Sequence, residues 1–289
     1  MATLTLDGLV GAADGITNAY LNEIFPALAS AVWAPIFFMA VLYWVSLGYK
    51  IFAGYEPVKW DDILKRMFMT VAIFSSLSWS GLGQTIYGFF TSFMEGAAAT
   101  IMSGEPTVSM LDALFNNVGQ VSALLQNVSW YQFGMILQGF GLLLINCLLF
   151  VLALVYLTIA KFGLAITMSL LPIFIGFFFF DQTRQWGMNW INKMLNFSFI
   201  YVLVIAIIRL GFLAFGEAVD EAGKAASASD AVMINVQQIS YLFIIEGVLI
   251  IFMLQVKSWA AALSSGAAVQ GVSLLMTAGR MFTGGGAKK

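Results

Sequence analysis

Two charged residues interrupt long apolar runs, and they are the first candidates for chemistry in this 289-residue chain. Arg209 lies within 194–216 and Glu246 within 236–256, and both runs are otherwise free of charge. A charge inside a bilayer costs several kcal/mol and marks a functional candidate by default. Helical rise places the two residues within a few Å of the same depth, which favours an ion pair or a contact between neighbouring copies. The alternatives are a snorkelling Arg209 with a Glu246 that is protonated or faces a neighbour, and a transport pathway.

A polar stretch lies in the middle of another charge-free run, 67–94. Small residues let helices approach closely and hydroxyls bond across them, so close helix packing is one interpretation. A pore-lining face is the other. The stretch surrounds Trp79 and comprises Ser75, Ser76, Ser78, Ser80, Gly81, Gly83 and Gln84.

The sequence offers no constellation of catalytic residues. It contains no His, which excludes imidazole general-base catalysis and His-ligated metal sites. Its one Cys, Cys147, lies in an apolar run and can form no intramolecular disulfide. Neither a phosphate-binding glycine loop nor a serine nucleophile elbow is present. We therefore expect no enzymatic activity, no cofactor and no metal, and any energy would come from another subunit.

The composition excludes a soluble globular protein. Hydrophobic residues make up 61% of the chain and charged residues 10%, where a soluble domain carries roughly a quarter charged residues. The mean hydropathy is +0.90. Apolar side chains in this excess must face lipid, and runs of about 20 apolar residues are long enough to cross a bilayer as helices. The fold predicted is an all-α, polytopic integral membrane protein.

The distribution of Lys and Arg predicts the number of crossings. The number of crossings depends on the two apolar runs on either side of Lys161. If each run crossed the membrane separately, most basic residues of the C-terminal half would lie outside, against the preference of Lys and Arg for the cytoplasmic side. If 162–180 is instead a re-entrant or broken helix containing Pro172, eleven of the thirteen Lys and Arg lie in the cytoplasm. We therefore predict five net crossings, with the N-terminus outside and the C-terminus inside.

This topology divides the chain into five segments. The periplasmic ones are predicted to be helical and amphipathic. The segments are a periplasmic N-terminal segment (1–25), the first two spans with a basic cytoplasmic loop at 50–66 (26–94), a periplasmic helical segment (95–132), a transmembrane core with the re-entrant segment 162–180 and an acidic periplasmic loop at 217–235 (133–256), and a cytoplasmic interfacial tail (257–289).

One amphipathic face lies in the predicted periplasmic segment 95–132. Its apolar residues recur every three or four positions, as on one side of a helix. Either this face rests on the bilayer surface or on the protein's own outer end, or it docks a partner or a neighbouring copy. The face comprises Leu111, Leu114, Val118, Val121 and Leu125.

The types of several residues at the predicted cytoplasmic ends of spans indicate their structural roles. Gly48 and Gly54 permit a close helix end and a turn before the basic loop. Pro172 breaks its helix. Arg184 and Trp190 anchor the inner interface, Arg184 by its charge and Trp190 by its amphipathic ring.

These residues belong to two motifs that resemble those of a known family, the TrbL-type polytopic inner-membrane subunit of bacterial type IV secretion systems. The first is Leu47-Gly48-Tyr49-Lys50-Ile51-Phe52-Ala53-Gly54 followed by Lys65-Arg66. The second is Leu171-Pro172-Ile173-Phe174, then Phe180-Asp181-Gln182-Thr183-Arg184, then Trp190. The resemblance covers 26–256.

The resemblance implies a core piece of the inner-membrane complex that translocates DNA or protein and helps assemble the conjugative pilus. It also implies the partners: a homo-oligomeric ring of five copies, the minor pilin that forms the periplasmic stalk, bitopic scaffold subunits and the secretion ATPases. The periplasmic face at Leu111–Leu125 would contact the stalk or a neighbouring copy. The alternative function is a stand-alone membrane transporter or channel for a small solute or ion, although the sequence shows no repeat symmetry.

Overall fold

The structure is a computed structural model. It describes residues 6–103, 107–126, 133–227 and 236–283. Every element in these ranges is a helix, which confirms the predicted all-α membrane fold. A π-helical turn at Trp79–Gly83, kinked by the non-helical backbone of Gly81, and a 3-10 turn at Gly176–Phe179 accompany the longer helices. The helices are α1 Leu6–Phe52, α2 Trp60–Ser76, α3 Gln84–Ile101, α4 Thr107–Gln126, α5 Phe133–Ser169, α6 Leu171–Ile175, α7 Arg184–Ser227 and α8 Val236–Thr283.

Four helices in the described ranges are long and apolar enough to cross a membrane: Ala12–Phe52, Phe133–Ser169, Arg184–Leu213 and Ser240–Ser265. The shortest has 26 residues, or about 39 Å at 1.5 Å per residue, against a hydrocarbon core of about 30 Å. The predicted second span, 67–94, is instead divided between α2, the π-helical turn and α3. The five net crossings and their orientation stay predictions.

Several predicted segment boundaries fall inside helices. The proposed acidic loop 217–235 is helical as far as Ser227, because α7 continues beyond its apolar part. The predicted tail begins within α8, which runs on without a break to Thr283. The N-terminal segment and the first span form the single helix α1. Parts of the predicted segments 1–25, 95–132, 217–235 and 257–289 lie outside the described residues.

The chain forms two compact units. Unit 1 draws on Met1–Ala13, Phe93–Lys161 and Phe199–Ala260, and unit 2 on Asp14–Ser92, Phe162–Ser198 and Ala261–Lys289. Helices α1, α3, α5, α7 and α8 therefore contribute residues to both units.

The core of unit 1 buries most of the predicted periplasmic face. Val118, Val121 and Leu125 are each at most 4% exposed and pack with Leu142 of α5 and Leu242 of α8. These three side chains therefore pack on the protein itself, which corrects their assignment to a partner-binding face. Periodicity predicted correctly that this face is buried, but it could not say what covers it. The side chains of Leu111 and Leu114 lie outside the described residues.

Two polar contacts hold α4 against α5 in unit 1. The Ser122 hydroxyl donates a hydrogen bond of 2.8 Å to the carbonyl of Gly139. The Asn146 amide donates one of 3.0 Å to the carbonyl of Phe115. A Cβ on Gly139 would lie 2.9 Å from Leu125 Cβ and 3.0 Å from the Ser122 carbonyl oxygen, so only glycine permits this approach.

Unit 2 contains the helix break that follows α5. Helix α5 ends at Ser169, so the predicted re-entrant segment 162–180 begins as its last turns and continues as α6 and the 3-10 turn. Pro172 lies in the first turn of α6, where its missing N–H is tolerated. The indole Nε1 of Trp190 donates a hydrogen bond of 2.7 Å to the Thr167 carbonyl, which occupies a backbone acceptor near the interrupted end of α5.

Trp190 therefore has a different role from the one predicted. Its side chain is 5% exposed and lies in the interior of unit 2, whereas an anchor at the inner interface would need an exposed ring. Trp186, on the same helix, is 56% exposed. Arg184, the first residue of α7, is exposed, and its role as an anchor at the inner interface stays a prediction.

We expect Gly139→Ala to destabilise the protein by about 1–3 kcal/mol, because the added methyl group pushes α4 away from α5. The matched control is Gly96→Ala on α3, where a Cβ meets nothing within 4 Å. That change should stabilise the helix by up to about 1 kcal/mol. Thermal unfolding midpoints in one detergent would measure both, and equal shifts would contradict the close packing of α4 on α5.

We expect Trp190→Phe to lower stability by about 1 kcal/mol, because the ring stays buried while the hydrogen bond to Thr167 is lost. Trp186→Phe is the control, since its ring is exposed, and it should leave the unfolding midpoint nearly unchanged. Equal midpoints for the two variants would show that the indole hydrogen bond does not hold the end of α5.

Candidate functional site

The two motifs of the sequence meet at Tyr43 in unit 2. The Tyr43 ring lies 5.6 Å from the Phe179 ring and 6.1 Å from the Phe180 ring, between centroids. On the other side, the guanidinium carbon of Arg66 lies 5.8 Å from the centre of the Tyr43 ring. The aromatic ring thus connects the basic loop after α1 with the segment that precedes α7.

The end of α1 folds the basic loop back toward α2. Gly54 has a φ of +76°, which glycine adopts readily, and its N–H donates to the carbonyl of Ile51 at 3.1 Å. The carboxylate of Glu56 then lies 3.4 Å from Arg66 and 3.9 Å from Lys50. Each of these side chains is at least 30% exposed, so the ion pairs fix the loop more than they stabilise the fold.

The two glycines of the first motif differ in role. Gly54 forms the predicted turn. Gly48 lies within α1, is exposed, and has open space where a Cβ would be, so it makes no close helix contact in the chain. The predicted close approach at Gly48 is therefore absent within the described part of the molecule.

Hydrogen bonds from Thr183 shape the second motif. Its hydroxyl donates to the Phe177 carbonyl at 2.9 Å. The carbonyl of Phe180 accepts the backbone N–H groups of Thr183 and Arg184, at 3.2 and 3.0 Å, and so starts α7. A Cβ on Gly187 would lie 2.5 Å from the Phe178 ring, so this glycine lets the turn pack closely on α7.

The arrangement around Tyr43 can position helices and present charge. Lys59, Lys65 and Arg184 are exposed, while Arg66 is half-buried beside Tyr43. Among the residues that the structure describes, no three His, Cys, Asp or Glu side chains gather as metal ligands would. The chemistry available here is recognition of a partner or of the membrane interface.

Arg209 and Glu246, both in unit 1, do not form the expected pair. Glu246 is 3% exposed, and neither of its carboxylate oxygens has a hydrogen-bond partner in the described part of the chain. Arg209 is half-buried. Another buried oxygen of unit 1, Oε1 of Gln138, also lacks a hydrogen-bond partner.

Sequence reasoning missed the central residue of the site, Tyr43. The available signal was the pair Tyr43-Trp44 shortly before the basic loop, where amphipathic rings are common. Trp44 Nε1 donates to the Thr70 hydroxyl at 3.3 Å, so both rings of the pair join α1 to α2. Asn146 is an isolated amide in an apolar run, and this position could have indicated its hydrogen bond to another helix.

Comparisons with known proteins agree with these motifs. A family model described as TrbL/VirB6 plasmid conjugal transfer protein matches residues 40–256. A type IV secretion system protein VirB6 of Bartonella henselae is 21% identical over 197 residues, which is 66% of this chain and 60% of that protein. A protein of the same description from Bartonella quintana is 21% identical over 194 residues, 65% of this chain and 60% of its own length.

The matched region thus spans about 60% of the length of these curated relatives. The family match covers well over half of the chain and includes Tyr43, the basic loop and the segment from Pro172 to Trp190. On this evidence, the chain belongs to the TrbL/VirB6 plasmid conjugal transfer protein family.

Proposed function

We propose that this chain is an inner-membrane core component of a type IV secretion system. In this role it helps form the conduit for DNA or protein substrates and the platform on which a stalk or pilus is assembled. The observation that carries the proposal is the family match across residues 40–256, which includes both motifs that meet at Tyr43. The relatives' names, type IV secretion system protein VirB6, agree with it.

The surfaces of the helices support an assembly role. Large apolar side chains are exposed along α1, among them Phe38 (65%), Leu42 (61%) and Val45 (62%). In a membrane such a surface is covered by lipid or by another helix. We propose that neighbouring copies cover part of it in a homo-oligomeric ring of five subunits.

The exposed charges support an assignment of partners to the two sides of the membrane. The basic loop 50–66 and Arg184 would lie in the cytoplasm, within reach of the secretion ATPases. Bitopic scaffold subunits would pack beside the helices. The minor pilin stalk would contact the outer end, where Leu111 and Leu114 are the remaining candidates of the predicted face.

We expect reporter fusions to place the turn before α7 in the cytoplasm. Alkaline phosphatase fused after Gln182 should be inactive and a fluorescent protein fused there should be bright, because the basic residues hold this turn inside. The same phosphatase fused after Asp230 should be active. An active phosphatase at Gln182 would contradict the five net crossings.

We expect deletion of this chain in its host to abolish transfer of DNA or protein, and a plasmid-borne copy to restore it. Purification in mild detergent should recover an oligomer together with the stalk subunit. Replacing Leu111 and Leu114 with Asp should reduce recovery of the stalk, because the charges disrupt an apolar contact, while membrane insertion stays intact.

The control for this experiment is Gln120→Asp, an exposed position on α4, which should leave recovery of the stalk unchanged. Unchanged recovery with the double Asp variant would remove the stalk contact at these two residues. A lone monomer that moves a small solute would overturn the proposed function and favour the stand-alone transporter.

A further inference from the structure

The predicted second span is broken at a glycine. Helix α2 ends at Ser76, and Gly81 has φ −93° and ψ −129°, which is not helical. A Cβ on Gly81 would lie 2.6 Å from the backbone oxygen of Ser75, so the chain can fold back this closely only with glycine. The carbonyl of Ser78 accepts the N–H groups of both Gly81 and Gly83, at 3.1 and 3.4 Å. The regular ladder of backbone hydrogen bonds is therefore interrupted here.

Helix length places this break within the thickness of a bilayer. Arg66 is the last charged residue before the break and lies in the ion pair with Glu56. Helix α2 ends ten residues later, at Ser76, which is about 15 Å of helix. The hydrocarbon core is about 30 Å thick. On the predicted topology, the break therefore lies inside this layer, near its middle.

A crevice of about 570 Å³ opens beside the break. Its walls in α1 include Ser30 and Trp33, and its walls at the break include Ser78, Trp79 and Ser80. The hydroxyls of Ser78 and Ser80 lie 3.1 Å apart. With about 30 Å³ per water in the liquid, the space is large enough for on the order of twenty waters.

Each interpretation of the serine-rich stretch applies to a part of it. Close packing holds at one edge of the break, where the Phe25 ring lies 5.1 Å from the Trp79 ring and 3.1 Å from where a Cβ of Gly83 would be. Beside this contact, between Ser30 and Ser78, the crevice remains open. In hydrocarbon, interrupted backbone is tolerated only where protein buries it or where it lines a water-filled cavity. Hydroxyl and indole groups on the walls offer water further hydrogen-bond partners.

An apolar cluster lies between the crevice and the basic loop. Ile36 and Ala40 of α1 pack with Ile73 and Leu77 of α2 and with Phe179, and all five are at most 8% exposed. Water entering from the loop side would have to cross this cluster. Along α1 and α2, the crevice therefore lies on the other side of this cluster from the basic loop.

We infer that the break in the second span lines a water-filled crevice, which opens on the membrane side opposite the basic loop and admits small hydrophilic solutes. The inference does not depend on the proposed role in secretion or on the absolute orientation of the chain. Its occupant is water, as opposed to a lipid acyl chain or a helix of a second copy.

Cysteine labelling of the full chain in membrane vesicles tests the inference. In a Cys147→Ser background, Ser30→Cys and Ser78→Cys would be treated with the membrane-impermeant reagent 2-sulfonatoethyl methanethiosulfonate. Ala31→Cys is the matched control, since it lies at the depth of Ser30 and is exposed but does not line the crevice. Tyr55→Cys, in the basic loop and 74% exposed, reports the loop side.

We expect both serine positions to react at least roughly tenfold faster than Ala31→Cys, because the reactive thiolate forms in water and not in lipid. Both serine positions should react with reagent added on the side of the membrane from which Tyr55→Cys does not react. Labelling of the serine positions only after detergent is added would show that lipid or another helix fills the crevice, and would overturn the inference. Labelling from the same side as Tyr55→Cys would overturn it as well.

Two serine positions are tested, one on α1 and one at the break, so that one stays informative if the other variant misfolds. A variant that loses the elution volume of the parent protein in gel filtration would be set aside, and the other would decide. Labelling of Ala31→Cys as fast as Ser30→Cys would show that this level of α1 lies in water altogether, which would also overturn a crevice within the bilayer.

Discussion

Hydrocarbon offers a peptide group no hydrogen-bond partner, so every interruption of a membrane helix has to be compensated by the protein or by water. The chain interrupts its helices at two places in unit 2, after Ser76 and after Ser169. At the second, side chains compensate the break: Trp190 bonds the Thr167 carbonyl, and Thr183 bonds the Phe177 carbonyl. At the first, a crevice adjoins the break. With the crevice inferred to hold water, the two breaks represent the two solutions that a bilayer allows.

The same constraint explains which parts of the fold could be predicted. Composition and apolar run length indicated an all-α membrane protein, because only helices satisfy their backbone groups within a single apolar segment. Pro172 marked the break near the end of α5, since proline supplies no N–H. The break at Gly81 was not predicted, because glycine is common at close helix contacts as well as at breaks. The structure distinguishes the two roles through the backbone conformation of Gly81 and the Ser75 oxygen that lies close to it.

Side-chain roles were harder to predict than elements. The spacing of Val118, Val121 and Leu125 correctly indicated a buried face, but periodicity carries no information about the element that covers it. Trp190 followed the statistical preference of Trp for membrane interfaces, yet it is buried because the broken end of α5 offers its indole an acceptor. Tyr43 was overlooked because its importance arises from residues far away in sequence, Arg66 and Phe180.

The need to compensate each helix break also explains why the two motifs contain no catalytic residues. Positions that face lipid accept almost any apolar side chain, since hydrocarbon does not distinguish between them, and relatives at 21% identity are therefore to be expected. Breaks, turns and helix starts accept fewer residue types. They need a proline, which has no N–H, a glycine that adopts a positive φ, as at Gly54, or a hydroxyl that reaches a backbone carbonyl. Both motifs of this chain consist largely of such residues, and in unit 2 they meet around one ring. We infer that the motifs specify how the helices are interrupted and joined, and that the proposed secretion function depends on the shape these interruptions produce.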